Sequence, residues 1–189
     1  MSTLETNLIQ PSTGTSLTIG ASGDTITIPS GATITNSGTA TGFGANTPAF
    51  QGYYSSSYQT VSDNVATKVT IDTEEFDTDS AFDTSNSRFT IPSGQAGKYF
   101  IFGKFFTYSS NDTGRQGKIW LYKNGSVVSQ TENQYRLTQD DIVGSALYTS
   151  YTFNASASDY FELYGSLNVT SGTDNRLQRA LFGGYKLIT

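Results

Sequence analysis

Lys98-Tyr99-Phe100-Ile101-Phe102-Gly103-Lys104-Phe105-Phe106-Thr107-Tyr108 is the stretch that decides the fold. Side chains of an extended chain alternate between faces. Tyr99, Ile101 and Phe105 therefore share one face, and Phe100, Phe102 and Phe106 share the other. A strand that is apolar on both faces has to be covered twice. One cover is a facing sheet; the other is either a sister subunit or the chain's own loops. Around this strand the sequence reads as further short extended runs: Ala49 to Tyr54, Thr67 to Ile71, Arg88 to Ile91, Lys118 to Tyr122, Val127 to Gln130, Ala146 to Phe153, Tyr160 to Leu167 and Leu181 to Ile188. Pro92-Ser93-Gly94, Asn111-Asp112-Thr113-Gly114 and Lys123-Asn124-Gly125 separate them as turns, and Asn-Gly between two apolar runs is a strong hairpin signal. No window holds apolar residues at a period near 3.6, so no helix is expected. Short strands with turns at this spacing predict an all-β chain folded as a two-sheet sandwich.

Composition supports a packed core rather than a disordered chain. Of the 189 residues, 12 are Tyr and 12 are Phe, and only 14% are charged, whereas disordered chains are aromatic-poor and highly charged. The chain has no His and no Cys. Serine triads with His, Cys nucleophiles, His/Cys zinc sites and disulfides are thereby excluded. A net charge of −5 argues against a nucleic-acid partner. No apolar run is longer than the four residues of Tyr99 to Phe102, far too few to span a bilayer. Met1-Ser2-Thr3-Leu4-Glu5-Thr6 has neither a basic end nor an apolar stretch, so a signal peptide is not expected there.

The first part of the chain differs from the rest. Ser22-Gly23-Asp24-Thr25-Ile26-Thr27-Ile28 is followed by Ser30-Gly31-Ala32-Thr33-Ile34-Thr35-Asn36 and by Ser37-Gly38-Thr39-Ala40-Thr41. Each Ser-Gly reads as a turn and each Thr-Ile-Thr as a short strand. One such strand cannot bury its Ile alone, and short repeats of this kind become stable when they stack on neighbours or on other chains. The alternative is a flexible Ser/Gly linker, in which Ile19, Ile26, Ile28 and Ile34 would serve no purpose. Gly42-Phe43-Gly44-Ala45-Asn46-Thr47-Pro48 marks a boundary, giving an anchoring and repetitive β-stalk over residues 1–48 and a domain over residues 49–189.

Several pieces of the domain, in order, carry a resemblance. They are Val69-Thr70-Ile71-Asp72, Asp77, Phe82, Arg88-Phe89-Thr90-Ile91-Pro92 and Gly97-Lys98-Tyr99-Phe100-Ile101-Phe102. Leu121-Tyr122-Lys123-Asn124-Gly125, Ser158-Asp159-Tyr160-Phe161-Glu162-Leu163 and Phe182-Gly183-Gly184-Tyr185-Lys186-Leu187 follow. Together they resemble the jelly-roll heads of the complement C-one-q and tumour-necrosis-factor superfamily. The chain departs from the family pattern in a longer turn at Gly94-Gln95-Ala96, in Ile71 and Ile101 where Phe is usual, and in the missing Gly of the aspartate strand. The resemblance implies a jelly roll of about ten antiparallel strands and a homotrimer. Separately, Leu17-Thr18-Ile19-Gly20 through Gly42-Phe43-Gly44 resembles segments of tailed-bacteriophage fibre and structural proteins, especially marine ones.

These resemblances imply a bacteriophage virion protein: a short trimeric tail fibre or spike assembled in the bacterial cytoplasm. Residues 1–48 would contact other virion proteins, and the knob would bind a host surface glycan or protein. The rival is a capsid decoration or head-fibre protein that stabilises the particle without a receptor role. A secreted lectin-like module ranks last, for want of a signal sequence. No enzymatic activity, cofactor or bound metal is expected. Neither Ser-x-x-Lys nor Gly-x-Ser-x-Gly occurs. The carboxylates Asp140, Asp141, Asp159 and Glu162 cannot be paired from sequence for glycoside cleavage. The acidic cluster Asp72, Glu74, Glu75, Asp77, Asp79 and Asp83 reads as a solvated loop rather than a calcium site. Candidate ligand-binding residues are Asn111, Asp112, Arg115, Tyr135 and Arg136, because the loops Ser109 to Gln116 and Thr131 to Asp141 are polar, turn-rich and lie between strands.

Overall fold

A computed structural model describes residues 9, 11, 13–38, 46–109, 114–137, 143–171 and 174–188. The chain divides into two compact units, Met1–Phe43 and Gly44–Thr189. Among the described residues thirteen strands occur, all in the second unit: β1 (Ala49–Tyr53), β2 (Gln59–Thr60), β3 (Thr67–Lys68), β4 (Thr73–Asp77), β5 (Phe82–Asp83), β6 (Arg88–Thr90), β7 (Gly97–Ser109), β8 (Gly114–Lys123), β9 (Ser126–Val127), β10 (Asn133–Arg136), β11 (Ala146–Ala155), β12 (Tyr160–Val169) and β13 (Asn175–Lys186). One sheet runs in the order β11-β7-β13-β1-β4, with β2 also on β13. The second runs β10-β8-β12-β6-β5, with β3 on β12 and β9 on β8. Every strand pair is antiparallel. The expected all-β sandwich is therefore what the chain forms, and its one helical turn among the described residues is a short 3-10 segment at Ser129–Thr131.

The two sheets pack their inner faces on a shared aromatic core. Phe50 of β1 stacks on Phe89 of β6 at 4.2 Å between ring centres and on Phe82 of β5 at 5.0 Å, and Phe182 of β13 meets it edge-on. Tyr99, Ile101 and Phe105 of β7 close the core from the middle of the first sheet and are fully buried. Fully burying one such side chain is worth about 1.5–3 kcal/mol. The lengthened turn after Pro92 is tied down: Gln95 closes it with a backbone bond to Pro92, and its carbonyl accepts from the Tyr99 hydroxyl at 2.7 Å.

Two expected strands end early, each for a visible reason. The run Thr67 to Ile71 keeps ladder pairing only over β3. Beyond it, the Thr70 N–H donates to the Gln59 side-chain oxygen and the Ile71 N–H to Ser87 Oγ, so side chains replace the ladder. Val127 to Gln130 stops at Val127. There the chain turns so that the Thr131 hydroxyl accepts from the Leu121 N–H at 2.8 Å and donates to the Val128 carbonyl at 2.7 Å. The Asn124-Gly125 turn has positive φ at both residues (52° and 74°), as a tight hairpin turn of this hand needs. β13, in contrast, begins six residues before the expected Leu181, because a bulge at Arg179, with φ 53°, lets the polar half of the strand join the sheet.

Among the described residues of the first unit the turns appear and the strands do not, and Thr39-Ala40-Thr41 of the third repeat lies outside them. Asp24 N–H bonds to the Ala21 carbonyl at 3.0 Å and Ala32 N–H to the Pro29 carbonyl at 3.1 Å. Gly23 and Gly31 supply the positive φ (92° and 85°) that these turns require. Residues 13–38 hold no strand, and all of them are exposed, the isoleucines included. The expected Thr-Ile-Thr strands are absent from the single chain because a strand exists only with a ladder partner.

Two outcomes follow from this architecture. A Cβ at Gly165 of β12 would overlap the Phe105 ring, so Gly165→Val should lower stability by about 1–3 kcal/mol through overpacking, read as a drop in the denaturant midpoint. Asp159 ties the turn before β12 to the β8 hairpin. The Lys123 ammonium bonds it at 2.7 Å, and the Asn124 and Ser156 N–H groups add to this, holding its pKa down to about 2 from 3.8. A carboxylate whose folded pKa is depressed stabilises above the unfolded pKa, and that contribution disappears as pH falls through the folded one. The native chain should thus lose stability between about pH 4 and about pH 2. Asp159→Asn should flatten that limb in thermal unfolding followed across pH.

Candidate binding surfaces

The outer faces of the two sheets differ in chemistry. On the sheet containing β7, the outward row of that strand is Phe100, Phe102, Phe106 and Tyr108, all half-buried. Phe100 lies 6.0 Å from Phe102 and 5.7 Å from Tyr185 of β13. Tyr53, Phe76 and Tyr148 extend this apolar surface and are 39%, 46% and 59% exposed. A recess of about 470 Å³ opens among Gln51, Phe102, Lys104, Tyr148 and Leu181. The described residues of the second unit leave this second face of β7 half-exposed.

The outer face of the other sheet is polar and cationic, with aromatics embedded in it. Glu162 is buried there, its Oε1 accepting from Arg88 Nε and Nη2 at 3.1 and 3.0 Å and from Lys68 Nζ at 3.3 Å. The Arg88 guanidinium lies 3.9 Å from the Tyr160 ring centre, and Tyr122 stacks on Tyr164 at 3.8 Å. A buried carboxylate is costly unless it is paired and hydrogen-bonded, and this clamp provides both. Trp120 donates its indole N–H to Glu132 at 2.7 Å, which sets the orientation of the ring.

At one end of this face lies a polar cavity of about 420 Å³, lined by Asn64, Arg115, Gln116, Arg136, Leu137 and Asn168. β8 positions Arg115 and Gln116, and β10 positions Arg136 directly opposite Gln116. β12 brings Asn168 across from Gln116 on its other side. The Leu137 N–H donates to the Arg115 carbonyl at 2.9 Å, and the Asn64 N–H to the Leu167 carbonyl at 2.8 Å. The structure thus brings the candidate residues Arg115 and Arg136 to one cavity. Tyr135 faces the other way. Its hydroxyl lies 3.0 Å from Thr107 Oγ1, between the sheets, and burial pushes its pKa up, with the Thr107 hydroxyl acting in the opposite direction. Asn111 and Asp112 lie outside the described residues. Asn64 and Asn168 went unnoticed in the sequence, since nothing local distinguishes an Asn at the end of a strand from one in a loop.

The acidic cluster is not the expected loop: Glu74, Glu75 and Asp77 lie on β4, where pairing with β1 makes a strand, Asp83 lies on β5, and Asp72 and Asp79 flank β4. Asp72 accepts from Ser55, Asp77 from the Phe82 N–H at 2.7 Å, and Asp83 from the N–H groups of Ser85 and Asn86. Among the described residues no three His, Cys, Asp or Glu side chains converge as a metal set.

No family model and no curated protein matches the sequence. The fold does have solved counterparts. The globular domain of zebrafish complement 1qA protein superposes with a TM-score of 0.53 at 14% identity, over 75% of this chain and 98% of its own. Murine APRIL, crystallised at pH 5.0, gives a TM-score of 0.53 at 9% identity, over 74% of this chain and 98% of its own. The jelly-roll fold expected from the order of the sequence pieces is thus the fold the chain adopts.

Proposed function

We propose that the protein is a non-enzymatic virion component of a tailed bacteriophage, a short trimeric fibre or spike whose jelly-roll knob binds the host cell surface. The observation that carries the trimer is the apolar outer face around Phe100, Phe102 and Tyr148, which the described residues of the second unit leave partly exposed. A contiguous apolar patch of this kind marks an interface, and each aromatic left in water forgoes about 1.5–3 kcal/mol. Ile19, Ile26, Ile28 and Ile34 of the first unit present the same problem, being 47–67% exposed. Copies winding together supply both the missing ladder partners and the missing cover. The phage context rests on the likeness of the repetitive segment to fibre proteins. A repetitive stem followed by a knob suits attachment, because several weak sites on one stem gain avidity by about 10² or more.

Sedimentation of the native chain should give about three times 20.4 kDa, and Phe102→Asp should reduce this to the monomer while leaving the β-sheet circular dichroism intact. A native monomer would defeat the trimer. Ile26→Asp with Ile34→Asp should loosen the stem and leave residues 49–189 folded, which limited proteolysis would reveal. Microscopy of intact particles should place the protein on the tail. Density confined to the capsid, with adsorption undisturbed by its removal, would favour the decoration role instead.

A further inference from the structure

The outer face of the first sheet carries charges of both signs and keeps them apart. Register places Thr73, Tyr53, Leu181, Lys104 and Tyr148 in one row across the sheet, and Phe76, Gln51, Gly183, Phe102 and Ser150 in the next. Lys104 is exposed and lines the recess of about 470 Å³ together with Phe102, Tyr148 and Leu181. No carboxylate is among the described residues of that lining. Among the described residues the Lys104 ammonium has no hydrogen bond or ion pair. Covering the recess would bury this charge, and a buried charge is costly unless it is paired. The occupant of the recess therefore brings both an apolar group and a carboxylate.

The opposite edge of the same sheet has this chemistry. There β4 reads Thr73-Glu74-Glu75-Phe76-Asp77. Phe76 is the one exposed Phe among the described residues. Asp77 accepts from the N–H groups of Phe82 and Asp79, whereas Glu74 and Glu75 are exposed and, among the described residues, have no partner for their carboxylates. Gln51 pairs with Phe76 and Gly52 with Glu74, so Glu75 is the extra residue of a bulge and stands beside Phe76 outside the regular alternation. An exposed ring with a free carboxylate next to it matches an apolar recess with a free ammonium in it. An apolar cavity of about 150 Å³ already holds benzene, so the recess has room for the Phe76 ring. Three strand spacings, about 14 Å, separate β4 from β7, so the match closes between copies and not within one. Each copy offers one edge and one recess, and a head-to-tail contact of this kind generates a ring when its rotation closes.

We propose that Phe76 of one copy enters the recess of the next among Phe102, Tyr148 and Leu181, that Glu75 pairs there with Lys104, and that three such contacts close the ring. This contact rests on the trimeric reading of the protein and names the surfaces that meet in it.

Sedimentation velocity of the full chain over a range of concentrations tests the contact. Lys104→Glu and Glu75→Lys change exposed side chains, so β-sheet circular dichroism should stay native in each. Each should raise the concentration at which half the chains assemble by about tenfold or more, because like charges then face each other. The chain carrying both changes restores opposite charges at every contact and should assemble nearly as the native chain does. Raising the salt should shrink the loss caused by either single reversal, whereas Phe76→Ala should weaken assembly at every salt concentration. An equimolar mixture of the two single variants separates a ring of three from a pair. In a pair the variants complement each other at both contacts, whereas in a ring of three one contact always joins like charges. The mixture should therefore assemble more weakly than the double variant. A native trimer that ignores both reversals, or whose double variant assembles no better than either single one, would overturn the contact and leave the trimer standing, with Glu74 and Glu75 serving to keep the β4 edge from pairing. A two-copy species restored in full by the mixture would keep the contact and end the trimer. A native chain that stays monomeric would end both.

Discussion

A strand can be apolar on both sides only if something lies against both sides. β7 crosses the middle of its sheet between β11 and β13, and its inner row of Tyr99, Ile101 and Phe105 is buried under the facing sheet. The outer row of Phe100, Phe102 and Phe106 is only half-buried by the described residues of the second unit. Burial of apolar area is the main favourable term in both folding and association, so the inward row stabilises the sandwich and the half-buried outer row is what the proposed association would cover. The same principle applies to the first unit, whose isoleucines stand in water along a chain with turns but no ladder.

The second sheet solves a different problem. Its outer face is kept wet by ionic groups held in fixed geometry, with the buried Glu162 locked between Arg88 and Lys68 and Trp120 held by Glu132. Such a face is unsuited to dry packing against a copy of itself, because the desolvation of so many charges would exceed what their mutual attraction returns. It suits a hydrated, polar ligand. On the proposed reading the two sheets divide the work between them, with the greasy face for self-association and the polar face for recognition. Arg115 and Arg136 belong to the second of these surfaces, whereas Tyr135, on the same strand as Arg136, belongs to the interior.

The long central strands were legible in the sequence because their signals are local: alternation of aromatics in β7, the Asn124-Gly125 turn, and the apolar runs of β11 and β12. β4 was not, since Thr73-Glu74-Glu75-Phe76-Asp77 reads as part of an acidic loop. Its membership of the sheet comes from pairing with β1, across a bulge that no propensity announces. β2 and β5 are two residues each and exist only where another strand happens to lie. Arg115 and Arg136 stood out as basic residues near turns. Their convergence did not, because it depends on a register that sets Gln116 between Arg136 and Asn168.

By itself, then, the sequence determined the class of structure, the positions of its turns and the presence of more apolar surface than one chain hides. These are consequences of residue type at short range, where period, steric preference and composition act directly. Tertiary structure alone decided which face of β7 goes inward, which turns hold Asp159 and Thr131, and which side chains gather at the polar cavity. Those outcomes depend on contacts between residues tens of positions apart, and a shift of one residue in the register of a single strand would have turned each of them to the opposite face.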